Sequence, residues 1–415
     1  MMNRISLTQI FSRGLSGILN VQTQLAKTQQ QVSTGQRVLT PSDDPIASSR
    51  ILQLESEQAR TAQYQKNIGG ATTSLNMEES QLEAFGNILT LIREKVVQAG
   101  DGALSYSDRQ AIAEELETRL GEMGALANSR SPSGEYIFGG YKGEQEPFVR
   151  VGNDYTYRGD DGQRFLQIAS STQVATNDSG NAIFMAVQQA NVSVAAAAGN
   201  TSTATISRGR VVDQTAFNTT FPGPTSTYQI NITGFTAPDQ YTYDVIDSSA
   251  ATVVTGATFT ANQPFTFGGT EFRIVGDPAG TAPAVGDSFT LTPPATQSVF
   301  TTVGRIVDGL RAYTDSSTDK LRLEDLVGET LDNLTNAEDN INVVRSRVGA
   351  RLNTLESTAD LHQGTDLVNQ KVLADVRDVD PAEAMSRLVQ ENFVLQAAQQ
   401  SFAKIAGLSL FDFLR

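Results

Sequence analysis

Residues 54–96 read LESEQARTAQYQKNIGGATTSLNMEESQLEAFGNILTLIREKV, and one row runs through them at every seventh position: Leu54, Thr61, Ile68, Leu75, Leu82, Leu89 and Val96. A straight helix drifts off a seven-residue row. A row kept this strictly therefore imposes a left-handed supercoil against a partner helix. The helix predicted from Pro45 to Gln98 is on the order of 80 Å long at about 1.5 Å per residue. Gly69 and Gly70 interrupt it, each costing roughly 1 kcal/mol against alanine, and mark where a bend is expected.

The same period returns at both ends of the chain. Phe11, Ile18, Leu25 and Val32 form one row, with Leu15 four residues after its first member. Val327, Leu334, Ile341, Val348 and Leu355 form another that continues to His362, and Leu388, Leu395 and Phe402 a last one. Start signals agree: Asp44-Pro45 and Asp380-Pro381-Ala382-Glu383 each place a cap before a proline at the first helical position. Ser107 with Gln110 reads as the cap of a third helix carrying Ile112, Leu116, Leu120 and Met123. For the outermost helices one apolar row is thin. Each buried Leu or Ile contributes roughly 1.5–3 kcal/mol, against an ordering cost of about 1–2 kcal/mol per residue. Residues 1–42 and 380–415 are therefore expected to be poorly folded in an isolated monomer and to order when several chains pack together.

Between these ends the composition changes. The ends are rich in Gln, Glu, Leu and Ala. Residues 135–298 are rich in Thr, Gly and β-branched types, and no lysine occurs between Lys142 and Lys320. Alternation in Tyr228-Gln229-Ile230-Asn231-Ile232 and Phe265-Thr266-Phe267, with turn groups at Gly268-Gly269, Asp277-Pro278 and Gly286-Asp287, reads as antiparallel β. Residues 135–185 read as two hairpins around Gly159-Asp160-Asp161-Gly162. The expected fold class is α+β: a long coiled-coil-like helical bundle formed by both termini, with β-hairpins and an inserted all-β domain. Its parts are a terminal coiled-coil domain (1–44 and 379–415), a central helical bundle with hairpins (45–190 and 299–378) and the insert (191–298).

The composition leans away from an enzyme. The 415 residues carry 31 Lys and Arg against 46 Asp and Glu, a net charge of −15, which argues against nucleic acid or anionic membranes as partners. There is no cysteine and one histidine, which excludes disulfide scaffolds, Cys/His zinc sites and multi-His metal centres. His362 continues a helix row and lacks a nucleophile signature. Arg158-Gly159-Asp160 reads as a tight hairpin turn, not an adhesion tripeptide. Asp244, Asp247 and Glu271 form no paired-carboxylate constellation. No catalytic residue, cofactor or metal ligand is assigned. Apolar stretches such as Val194 to Ala198 are far short of the roughly 20 residues of a membrane span, and residues 1–42 lack the apolar core of a secretory signal.

The C-terminal sequence is strongly apolar: Leu408, Leu410, Phe411, Phe413 and Leu414 follow a helix. Burial between subunits is the expected fate of such a tip. Several stretches together carry a resemblance. Arg4-Ile5-Ser6, Gln29 to Arg37 (QQQVSTGQR) and Pro41-Ser42-Asp43-Asp44-Pro45 resemble the N-terminus shared by flagellins and hook-associated proteins. Gly134 to Gly140 (GEYIFGG) resembles the close of their first helical region. Gln396 to Ile405 and Leu408 to Leu414 are most similar to the C-terminus of hook-associated proteins of the hook–filament junction. Phe265 to Gly269 and Gly286 to Leu291 resemble β segments of their outer domains.

The resemblance implies a structural adaptor of the bacterial flagellum that folds as it assembles. The subunit would be exported unfolded through the flagellar type III apparatus and would act outside the cell. Its partners would be copies of itself in a ring, the first hook-associated protein (FlgK), flagellin and an export chaperone. The assembly interface is assigned to Phe11, Leu15, Ile18, Leu25, Val32, Leu388, Leu395, Phe402, Ile405, Leu408, Leu410, Phe411, Phe413 and Leu414. Leu388, Leu395, Phe402 and Ile405 are the chaperone-binding candidates. The alternatives are flagellin itself and a surface adhesin carried by the insert.

Overall fold

The computed structural model describes residues 7–276 and 282–413. Seven α-helices occur among them: α1 (Leu7–Thr34), α2 (Pro45–Ala99), α3 (Tyr106–Ala127), α4 (Gln214–Thr220), α5 (Val299–Ala312), α6 (Ser317–Arg377) and α7 (Pro381–Phe413), with one π-helical turn at Asn181–Met185. The first hairpin pairs β1 (Phe148–Val151) with β2 (Asp154–Tyr157), and the second pairs β3 (Phe165–Gln167) with β4 (Gln173–Ala175). The remaining strands are β5 (Val187–Gln188), β6 (Asn191–Ala196), β7 (Thr205–Ile206), β8 (Gly209–Val211), β9 (Tyr228–Thr236), β10 (Gln240–Asp247), β11 (Thr252–Thr260), β12 (Pro264–Phe267), β13 (Thr270–Val275), β14 (Ser288–Thr292) and β15 (Thr296–Gln297). Two compact units emerge, Met1–Asn67 with Ser357–Arg415, and Ile68–Glu356. Arg4-Ile5-Ser6 and the Asp277-Pro278 turn lie outside the described residues.

The seven-residue rows are buried as expected. Leu54, Ile68, Leu75, Leu82, Leu89 and Val96 are in the core of α2, and Thr61 is the buried polar member of that row. Val327, Leu334, Ile341, Val348 and Leu355 are buried along α6, and Ile112, Leu116, Leu120 and Met123 along α3. The start of α3 differs from the sequence reading. Its cap is Ser105, whose hydroxyl accepts from Asp108 N–H while Asp108 reaches back to Ser105 N–H. A carboxylate in the first turn complements the helix dipole better than a neutral amide does, and Gln110 instead donates to Leu310 O at 3.1 Å.

A knot of rings fixes the hairpins to the helices of the second unit. Phe184 packs against Phe85 of α2 at 4.5 Å between centroids and against Phe138 at 5.2 Å. Phe300 of α5 meets Tyr155 at 4.7 Å and Phe148 at 5.5 Å. Each such pair adds about 0.5–1.5 kcal/mol beyond the area it buries. The strand Tyr155-Thr156-Tyr157 pairs with β1, and Phe165-Leu166-Gln167 pairs with β4. The Arg158-Gly159-Asp160 triplet is therefore the bend between two hairpins, not the turn of one. Asp160 pins it by accepting from Tyr141 N–H and Gly162 N–H, both at 2.8 Å.

The insert is a nine-stranded antiparallel sheet in the order β11-β10-β9-β14-β6-β8-β13-β12, with β7 pairing β13. Its core holds Val192, Ile230, Tyr243, Phe272, Phe289 and Leu291. The Gly286-Asp287 turn is held by the buried Asp287 carboxylate, which accepts from Thr201 N–H at 2.8 Å and Ala284 N–H at 3.0 Å. The short helix α4, capped by Asp213, is the one helical piece of the insert among the described residues.

One carboxyl in the second unit is unusual. Glu78 of α2 is fully buried; its Oε1 accepts from Asp178 N–H at 3.1 Å, and its Oε2 has no partner. Asp178 is held bidentately by Arg351 of α6 at 2.8 and 3.0 Å. Burial, and then the neighbouring Asp178 charge, push Glu78 up to about 8.

Candidate assembly surface

The first unit begins with a joint. Helix α1 ends on Gly35, whose φ of +72° is the left-handed geometry that glycine adopts freely. The chain then meets the segment between α6 and α7: Val379 N–H donates to Gly35 O at 2.9 Å, and Arg37 N–H donates to Arg377 O at 2.7 Å. The Arg37 guanidinium donates to Val376 O at 2.8 Å, and the Gln31 amide donates to Arg37 O at 2.6 Å. Lys27 lies 2.7 Å from Asp43. Its hydrogen bond, then the Thr40 N–H, hold the Asp43 carboxyl down at about 2. The predicted caps are formed: Asp44 accepts from Ala47 N–H at 3.0 Å and Asp380 from Ala382 N–H at 2.8 Å.

From this joint α1 and α7 run back along one another. The seam is closed at the far end by Phe11 and Phe402, whose rings meet edge to face at 5.5 Å. Gly14 permits the approach, since a Cβ there would stand 3.0 Å from Phe402 Cδ2. Phe11, Ile18, Leu25, Val32, Leu388, Leu395 and Phe402 are all half-buried. A two-helix seam covers one side of each residue and leaves the other in water.

Large apolar side chains also stand outside that seam. Leu15 is 51% exposed and Leu19 53%, while Val389 and Phe393 on α7 are 66% and 71% exposed. Leu19, Met385, Val389 and Phe393 were not singled out from the sequence. The signal was present in the four-residue spacing of Leu15 with Leu19 and of Val389 with Phe393, beside the seven-residue row. The side chains of Ile405, Leu408, Leu410, Phe411 and Phe413, and the whole of Leu414, lie outside the described residues.

Elsewhere in the first unit His362 stacks on Tyr64, with centroids 5.5 Å apart and planes at 21°. The structure thus places the single histidine in a ring stack between α2 and α6. Among the described residues no helix is long and apolar enough to cross a membrane.

The sequence matches the bacterial flagellin N-terminal helical region over residues 5–143 and the bacterial flagellin C-terminal helical region over residues 331–414. It is 26% identical to the flagellar hook-associated protein 3 of Escherichia coli over 99% of each chain. It is 36% identical to that of Salmonella typhimurium over 184 residues, 44% of this chain and 57% of the relative. The crystal structure of the flagellar hook-associated protein 3 of Legionella pneumophila superposes with a TM-score of 0.66 at 26% identity, over 79% of this chain and 98% of that one.

Proposed function

Because the chain belongs to the bacterial flagellin family and is a component of the flagellum, we propose that it is the structural adaptor of the hook–filament junction. It would join the first hook-associated protein on one side to flagellin on the other. The observation that carries this reading is the exposed apolar flank of the α1–α7 pair, where Phe393 and Val389 stand mostly in water. A helix pair with one half-covered seam and a second apolar flank is what a lone chain cannot finish and a ring of copies can. The likeness to hook-associated protein 3 over 99% of each chain supports the junction over the filament.

In this reading α1 and α7, within residues 1–44 and 379–415, form the inner tube. Residues 45–190 and 299–378 form the shell around it, and residues 191–298 form the outer domain. The interface is carried by Phe11, Leu15, Ile18, Leu25, Val32, Leu388, Leu395 and Phe402, extended by Leu19, Val389 and Phe393 and by the apolar C-terminal residues from Ile405 to Leu414. Before export the same α7 row of Leu388, Leu395, Phe402 and Ile405 would lie in the groove of a chaperone. The chain would pass unfolded through the type III channel and fold outside the cell, its ordering cost met only when neighbours bury both flanks. No step of this role asks for catalysis.

The test is addition of the purified protein to preformed filament seeds and to hook ends carrying the first hook-associated protein. A junction adaptor adds a limited number of copies to those hook ends and then accepts flagellin. Indefinite self-elongation on filament seeds would instead identify a filament subunit. Specific glycan or receptor binding by the full chain, lost on deleting residues 191–298, would favour an adhesin.

A further inference from the structure

The insert holds three cations, Arg208, Arg210 and Arg273, and no lysine. All three are spent on one helix. Arg273 Nη1 lies 3.0 Å from Asp325 and 3.2 Å from Glu324, Arg210 Nε 3.2 Å from Asp332, and Arg208 Nη1 3.3 Å from Glu329. Asp325, Glu329 and Asp332 are spaced four and three apart on α6, so they form one acidic stripe along it.

Most of the insert's apolar packing is internal, with Val194, Ile206 and Val275 meeting Leu326 across a cavity. Its core cluster draws on positions from 192 to 291 only, among the described residues. Leu326 and Val327 abut Gly309 and Gly100 of the helical body and also border the cavities that face the insert. Two polar cavities, of about 370 and 250 Å³, flank Arg208, and both are bordered by Asp325 and Glu329. Asp325 Oδ2 and Arg273 Nε are buried without hydrogen-bond partners. The covalent attachment is narrow: residues 188 and 296 pair, as do 187 and 297, where β5 meets β15.

We propose that the insert is a separately folded arm, latched to α6 by these charge pairs and able to swing free of it about the β5–β15 neck. Partly buried ion pairs fix register well and contribute little net affinity, because each charge loses water when it docks. The directions of titration agree: burial raises Asp325 to about 6, raises Asp332 and lowers Arg208. Asp325 faces Arg273 and Glu271 from β13, Arg208 from the turn before β8, Glu324, Arg322 and Glu329 along α6, and Arg305 from α5. Its carboxyl binds a proton more tightly when docked than when hydrated. Mild acid therefore tightens the latch, while neutral pH and high salt loosen it. The latch does not depend on where the assembled chain stands in the flagellum.

The absence of cysteine makes the test direct. Thr258→Cys on β11 and Asn342→Cys on α6, both exposed positions, carry spin labels in the full chain, and pulsed dipolar spectroscopy reads the distance distribution. One narrow distance is expected at about 0.05 M salt, with a second, broad population rising several-fold at about 1 M. That population shrinks when pH is lowered from about 8 to about 5. Arg210→Asp raises the free population at low salt, and adding Asp332→Arg restores the narrow distance. A single narrow distance under all these conditions, or an exchanged pair that fails to restore it, would overturn the latch. Should Arg210→Asp not fold, the salt and pH series on the otherwise unaltered chain decides alone.

Discussion

Phe11 of α1 and Phe402 of α7 stand edge to face, with centroids 5.5 Å apart and planes at 87°, so the first and last helices of the chain close on one another. This contact is small beside what it must hold. Such a pair adds about 0.5–1.5 kcal/mol beyond its area, whereas α1 and α7 order 28 and 33 residues. In the proposed reading the rest of the stabilisation comes from other copies.

Phe402→Ala removes that ring contact and leaves the joint at Gly35 and Val379 intact. We expect a loss of roughly 1–2 kcal/mol per subunit, read as a critical concentration for assembly raised about tenfold. An unchanged critical concentration would mean the seam is not part of the assembled core.

Val389→Ser and Phe393→Ser change side chains that stand mostly in water within one chain. The monomer should melt within about 0.5 kcal/mol of the parent, while incorporation at hook ends is lost. Circular dichroism and seeded assembly separate the two effects. A large drop in monomer stability would place these residues in an intramolecular core instead.

Glu78 makes folding depend on pH in an identifiable direction. Its folded value of about 8 lies above its ordinary 4.5. The protonated form is thus favoured by folding, and stability falls as pH rises from about 4.5 through about 8, by roughly 5 kcal/mol in all. Glu78→Gln keeps the acceptor for Asp178 N–H and cannot ionise. Relative to the parent it should be near neutral at pH about 4 and stabilising by a few kcal/mol at pH about 9. Thermal melts across that range check it. A variant that falls with pH as steeply as the parent would contradict the assignment.

Gly140 has a φ of +69°, and a Cβ there would collide with Asp160 O. Gly140→Ala should destabilise the second unit by about 1–3 kcal/mol. Urea unfolding of the full chain measures it, and an unchanged midpoint would show that the bend relaxes without penalty.

The helical frame was legible because a seven-residue row records burial directly: Leu54 through Val96 are placed in the core by both readings. The start of α3 was misplaced because Ser105 and Ser107 are both competent caps, and only the carboxylate of Asp108 decides between them. The partners of Tyr155 and Phe165 were hidden because a Gly-Asp-Asp-Gly cluster suits either a hairpin turn or the bend between two hairpins. The exposed pair Val389 and Phe393 was missed for a different reason. A row search finds the seam a helix buries within its own chain, and these residues lie outside it. Glu78 was not readable at all, since its hydrogen-bond partner Asp178 is distant in sequence.

The central claim is that α1 and α7 are completed by other copies of the chain. Hydrogen exchange on the soluble monomer and on the assembled form tests it most directly. The account predicts little protection of residues 10–35 and 385–405 in the monomer and strong protection after assembly. Strong protection of both segments in the lone chain, unchanged on assembly, would contradict it.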